Sequence, residues 1–249
     1  METRPERPEN RPEERPAAIQ KKRSIWRTAG VLLGAAVLIP LVYLTVSMVL
    51  DSGVLDAAMP AEVSARKYPA YKSSVDKDGD GVDDQTDVLE SAKAYLATEP
   101  QYKSEYYGTG YPTGEYGVCT DVVAFALKGA GYDLQKMVDR DIRRAPKKYG
   151  IAPGTRDKAI DFRRVGNLSV FFRRHAVRLT TDLGKPGKWQ GGDIVVFKNH
   201  VAIVSDKRNR NGIPYILHLA NPVQTKLHQY EQNALSKRAG SITGHYRMS

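Results

Sequence analysis

The 23 residues from 28 to 50, TAGVLLGAAVLIPLVYLTVSMVL, carry no charged side chain. At a helical rise of about 1.5 Å per residue they extend about 34 Å, enough to cross the hydrocarbon core of a bilayer. Lys21, Lys22, Arg23 and Arg27 crowd the N-terminal flank, and Asp51 and Asp56 follow the run. The positive-inside bias therefore places the N-terminus in the cytoplasm and everything after residue 50 outside the cell membrane. Pro40 is tolerable in mid-span, and Trp26 and Tyr43 suit the two interfaces. A signal peptide cleaved near Ala57, Ala58 or Ala61 is the rival reading, but the run exceeds the usual signal core, which favours an uncleaved, single-pass anchor.

This anchor divides the chain. Residues 1–27 open with RPERPENRPEERP, which has almost nothing to bury and reads as a disordered cytoplasmic tail. Residues 51–74, interrupted by Pro60 and Pro69, read as an extracytoplasmic linker, and residues 75–249 as one folded domain. After the apolar run there are 30 Lys and Arg against 23 Asp and Glu. That excess favours an anionic partner, such as peptidoglycan or another anionic cell-wall polymer, and the scattered bases match no nucleic-acid motif. The single cysteine, Cys119, excludes an intramolecular disulfide, so an exported domain needs some other clip.

A candidate clip lies where the domain begins. In DKDGDGVDDQTD, Asp76, Asp78, Asp80, Asp84 and Asp87 occupy positions 1, 3, 5, 9 and 12 of a calcium-type loop, Gly81 stands at the sharp turn, and Val82 offers a backbone carbonyl. Six carboxylates in twelve residues repel one another unless a hard cation neutralises them. Asp87 stands where an EF-hand has glutamate, as in the shorter dockerin-like and thrombospondin-type loops, and the role expected for calcium is structural. The competing reading is an acidic turn that caps the following helix.

The chemistry centres on Cys119. In EYGVCTDVVAFALKGAGYDL, Val122, Val123, Ala126, Leu127 and Ala130 form one helical stripe, which puts Cys119 at a helix N-terminus. Free amides and the helix dipole there favour a thiolate and can hold an oxyanion. Two strands are expected at 194–197 and 200–205, with His200 opening the second. A third is expected at 215–219, where His218 alternates with apolar neighbours. Cys119 on a helix, with His200 from one strand and His218 from its neighbour able to orient it, is the arrangement that nucleophilic thiol catalysis requires, with Asn221 an alternative orienter and Asp121 either a supporting residue or a dipole partner. No catalytic metal is expected.

Elsewhere, Asn167 reads as the cap of a core helix, and Arg163 and Arg164 as solvated or as an anion clamp. Tyr106, Tyr107, Tyr111 and Tyr116 suit either a glycan groove or core and rim.

The order GxCTD, GGDIV, HVAIVSD and YILH resembles NlpC-type cell-wall peptidases of the papain-like superfamily. More closely, CTDVVAFALKGAGYDL, DFRRVGNLSVFFRRH, GGDIVVF, HVAIVSD and ITGHYR resemble the bacterial family known as domain of unknown function 1287, over most of residues 84–249. The resemblance implies an α+β, papain-like fold of N-terminal helices on a mainly antiparallel sheet of roughly five strands, and a Cys119, His200, His218 triad acting as an amidase or peptidase on peptidoglycan stem peptides. NlpC enzymes usually carry Ser and Gly after the cysteine, where this chain has Thr120 and Asp121. Two other expectations are a non-catalytic wall-binding or scaffold module stabilised by calcium, and a thiol acyltransferase or lipid-acting hydrolase.

Overall fold

The computed structural model of the protein describes residues 57–248. The expected tail, membrane span and first part of the linker lie outside them, and among the described residues no helix is long and apolar enough to cross a membrane.

The fold is α+β. Helices α1 (Ala61–Lys67), α2 (Asp84–Ala97), α3 (Cys119–Gly129), α4 (Leu134–Arg144), α5 (Pro146–Tyr149) and α6 (Val165–His175) precede most of the sheet strands, and a two-residue parallel pair, β1 (Gln101–Tyr102) and β2 (Tyr116–Gly117), lies between α2 and α3. The main sheet contains β3 (Val177–Arg178), β4 (Ile194–Phe197), β5 (Val201–Arg208), β6 (Pro214–Leu217), β7 (Glu231–Gln232) and β8 (Ile242–Arg247). A short helix α7 (Pro222–Lys226) separates β6 from β7. Strand order is β3-β8-β4-β5-β6-β7, every neighbouring pair antiparallel. The main sheet has six strands rather than roughly five, because β3 and β7 are two-residue edge strands too short to leave a periodic signal.

Successive side chains on a strand point to opposite faces, and both faces of this sheet are covered. Ile194, Val196, Val201, Ile203 and Leu217 join Val88, Ala92, Val122, Val123, Ala126, Leu127 and Phe172 in the helix-side core. Val195, Phe197, Ala202, Val204 and Ile216 face the other way, against Trp189 and Leu235. Strands buried on both sides read as continuous apolar runs, which is why IVVF and VAIV were legible as strands.

Residues 57–74 depart from the expected linker. They carry α1 and belong to the compact unit that runs from Asp56 to Ser249. Tyr68 stacks under the Arg208 guanidinium at 4.5 Å, Tyr71 lies under that of Arg247 at 3.8 Å, and the Met59 amide bonds to the Arg208 carbonyl at 2.7 Å. These anchors are aromatic and long-range, so local periodicity carries no trace of them.

Asn167 is buried inside α6, which starts two residues earlier, and its amide donates to the Asp161 carbonyl at 2.9 Å. It braces the preceding turn rather than capping a helix.

Candidate active site

Val118 is the extended residue before α3, and its amide donates to the Asp121 carboxylate at 2.8 Å. Asp121 thus closes the first turn of the cysteine helix. It also receives Arg163 through two bonds, Nε to Oδ1 at 2.6 Å and Nη2 to Oδ2 at 2.9 Å, and both side chains are buried. A bidentate, fully desolvated pair is a strong and geometrically specific link. Arg163 spends its remaining Nη1 on the Glu105 carbonyl at 2.6 Å, and its own carbonyl accepts from Thr120 Oγ1 at 3.1 Å. Arg163 is therefore neither solvated nor free to clamp a ligand. The two positions where this chain departs from the NlpC pattern, Thr120 and Asp121, both fasten the cysteine turn to Arg163.

Cys119 is half-buried. Its sulfur accepts the Val201 amide, one residue beyond His200, so helix start and strand start meet at the thiol. Burial outweighs that bond and the first-turn amides and pushes the thiol up to about 11. The resting group is a thiol, contrary to the thiolate that a helix N-terminus alone leads one to expect, because desolvation penalises the charged form more than the amides reward it.

The two histidines do meet. His200 Nε2 lies 2.8 Å from His218 Nδ1, and their rings stand nearly perpendicular. His218 Nε2 lies 3.1 Å from Gln232 Oε1, and Gln232 turns its amide nitrogen to Gln229 Oε1 at 3.4 Å. That chain fixes the tautomers. An amide oxygen only accepts, so His218 carries its proton on Nε2, its Nδ1 accepts from His200 Nε2, and His200 is left with an unprotonated Nδ1. Burial, then the neighbouring His218 and Arg238, lower His200 to about 3, and burial with Arg238 lowers His218 to about 4 despite the Gln232 bond. Both rings are neutral at pH 7.

Asn221 is exposed and caps α7, accepting the Gln224 amide at 2.9 Å. The residue that engages His218 is Gln232, cross-strand from Ile216 on β7. Sequence reasoning missed it because a polar residue on a two-residue strand has no periodic context. Of the tyrosines, Tyr111 packs on Phe125 and Phe162, Tyr107 bonds to the Tyr116 carbonyl, and Tyr106 is 62 % exposed.

In the acidic loop, Asp76, Asp78 and Asp80 can each bring one carboxylate oxygen within 4.8 Å of the others. Asp76 accepts the amides of Gly79, Asp80 and Gly81, and both glycines have positive φ. Asp87 Oδ2 is buried and has no hydrogen-bond partner; burial, then Asp80, Asp78, Asp83 and Asp84, raise its carboxyl to about 6. Asp84 points elsewhere: it accepts the Lys77 amide at 2.7 Å and the Tyr132 hydroxyl. Val82 is exposed, its amide donating to Asp80 at 2.8 Å. The carboxylates close enough together to share a hard cation are thus Asp76, Asp78 and Asp80, and Asp84 is the tether of the loop to the end of α3. There Gly131 allows the close approach, since a Cβ would stand 3.0 Å from that of Asp78.

A cavity of about 580 Å³ lies between α1, α2 and the far end of β5, lined by Tyr68, Leu89, Lys93 and Asp206, and includes none of Cys119, His200 or His218.

The family model described as "Domain of unknown function (DUF1287)" matches residues 89–248. The chain is 34% identical over 144 residues to the uncharacterized protein YijF of Escherichia coli (strain K12), a match covering 53% of this chain and 69% of that protein. No solved structure matches the chain.

Proposed function

This chain belongs to the DUF1287 family, and we propose that it is a membrane-anchored, extracytoplasmic cysteine amidase or peptidase of NlpC type that acts on peptidoglycan stem peptides. The observation that carries this reading is the hydrogen-bond chain from Gln232 through His218 to His200, which leaves the Nδ1 lone pair of a neutral imidazole free at the strand start that meets Cys119.

In the proposed reaction, His200 Nδ1 takes the thiol proton as sulfur attacks the amide carbonyl, and the Cys119 and Thr120 amides, which face the sulfur at the start of α3, hold the developing oxyanion. The C–N bond breaks as the proton passes to the leaving amine. Water, deprotonated by His200, then hydrolyses the thioester, releasing a carboxylate and restoring the thiol. Because thiol and imidazole both rest neutral, the proton moves with the attack rather than before it.

Calcium belongs to the same proposal as a structural ion. Asp76, Asp78, Asp80 and Asp87 would hold it, supported by the orphaned Asp87 oxygen. Binding stabilises a fold by mass action, so millimolar calcium is expected to raise Tm by several degrees, and Asp78→Asn with Asp80→Asn to remove that shift; an unchanged Tm in calcium defeats the assignment. The membrane anchor and the anionic wall as partner rest on the sequence.

The activity is tested with the compact unit starting at Asp56, purified peptidoglycan and calcium, followed by muropeptide mass analysis. Native protein is expected to release cleaved stem peptides, and Cys119→Ala and His200→Ala each to lose at least about 10³-fold in rate. One observation favours a second reading, a non-catalytic wall-binding module: the thiol is held at about 11 by burial. Under that reading all three proteins bind the wall equally and none cuts it.

A further inference from the structure

Between β7 and β8 runs the 3-10 turn Ser236–Ser241. Arg238 is fixed there by its backbone: its amide donates to the carbonyls of Ala234 and Leu235 at 3.1 and 3.2 Å, and its carbonyl accepts from Ser241 Oγ at 2.8 Å. Its guanidinium lies over the Phe197 ring, 5.9 Å from the centroid, and the same ring is 6.0 Å from that of His200. The positive charge bears on both His200 and His218.

Several exposed arginines, such as Arg140 and Arg210, have no hydrogen-bond or ion-pair partner for the side chain, but among the described arginines that are not exposed Arg238 alone lacks one. Arg163 is closed on Asp121, Arg174 on Asp141, Arg156 on Asp139 and Arg247 on Asp193, while Arg208 donates to three carbonyls. Among the described residues no carboxylate pairs with Arg238, and no acceptor takes its side-chain N–H groups. A half-buried guanidinium with five unused donors, held over a ring that flanks the base, is a ready receptor for a planar anion.

Building on the hydrolase reading, we propose that Arg238 receives a carboxylate of the substrate close to the scissile amide, and so selects acidic peptides. Docking the anion also cancels the positive charge that His200 feels in the free protein, so the base strengthens only once substrate is seated.

The single cysteine makes the test direct. Full-length protein with calcium is alkylated with anionic iodoacetate and, separately, with neutral iodoacetamide, and modification of Cys119 is followed by intact mass. Both reagents draw on the same thiolate, so the ratio of their rates isolates anion guidance from thiol activation. That ratio is expected to be about tenfold higher in native protein than in Arg238→Gln, with Arg238→Lys in between. An identical ratio in native and Arg238→Gln, with both reagents reacting, overturns the proposal and leaves the hydrolase reading standing. If neither reagent modifies Cys119 in the folded protein, although both do so after denaturation, the hydrolase reading fails and this inference with it.

Discussion

Two histidine clusters sit on one sheet and answer opposite demands. At the β5 and β6 ends, His200 bonds to His218 and His218 to a neutral glutamine, and one ring nitrogen of His200 has no partner among the described residues. On β8, His245 bonds to the Asp193 carboxylate at 2.9 Å through Nε2 and to the Thr180 carbonyl at 2.7 Å through Nδ1, and Trp189 lies flat on its ring at 3.8 Å. Asp193 further collects Arg247, Gln85 and the Gln190 amide. A His beside an Asp is the pairing usually sought in an active site, yet here it is the sealed structural joint, tying α2 and the GGD turn to the sheet. The proposed chemistry needs a nitrogen with nothing left to hold it, and of the two clusters only the weaker-looking one has it.

The comparison breaks first at Asp193. Asp193→Ala leaves the buried His245 and the Arg247 side chain without their anion, and is expected to cost about 3–5 kcal/mol in denaturant unfolding, with no loss of rate per folded molecule. If peptidoglycan cleavage falls and stability does not, the roles of the two clusters are reversed. At the open cluster the expected pattern is opposite. Gln232→Leu frees the His218 proton to either nitrogen and so spoils the His200 tautomer for part of the population; kcat is expected to fall by about 10- to 100-fold while stability changes by about 1 kcal/mol or less. Gln232→Glu places a carboxylate against His218 and favours its protonation, so the acid limb of the kcat/KM profile is expected to move to higher pH. A profile identical to that of native protein removes the relay.

A last effect is on stability against pH. His200 and His218 are lowered to about 3 and about 4, whereas the unfolded imidazole titrates near 6.5. Below 6.5 the unfolded chain binds protons that the fold refuses, so their contribution is complete above pH 6.5 and drains away as the pH falls towards 4. Replacing His218 by Gln is expected to flatten that slope, read from unfolding free energies at pH 7 and pH 5.

Much of this was written locally. Apolar runs gave β4, β5 and β6, an apolar stripe ending before Gly131 gave α3, and the place of Cys119 at its start followed, as did the neighbouring strands that bring His200 and His218 within 2.8 Å. What stayed hidden depends on partners far along the chain. Asp121 meets Arg163 across 42 positions, and Gln232 and Arg238 sit on an edge strand and a turn whose residues show no period. Asp84 matched a ligand position by spacing, but Tyr132, 48 positions on, holds it.

The hairpin joining β5 to β6 pairs Ile203 with Leu217 and Val204 with Ile216, then shifts register before Arg208 meets Pro214. Since side chains alternate from face to face, that shift acts as a phase-setting device for everything downstream. Adding or deleting one residue between 205 and 213 would turn His218 into the helix-side core and bring an aliphatic neighbour opposite His200, whereas a length change in the exposed stretch 152–155 costs at most the neighbouring Arg156–Asp139 pair. Variation in chain length is therefore cheap in one connection and fatal to the proposed chemistry in the other, where Arg208 and Asn209 are already buried.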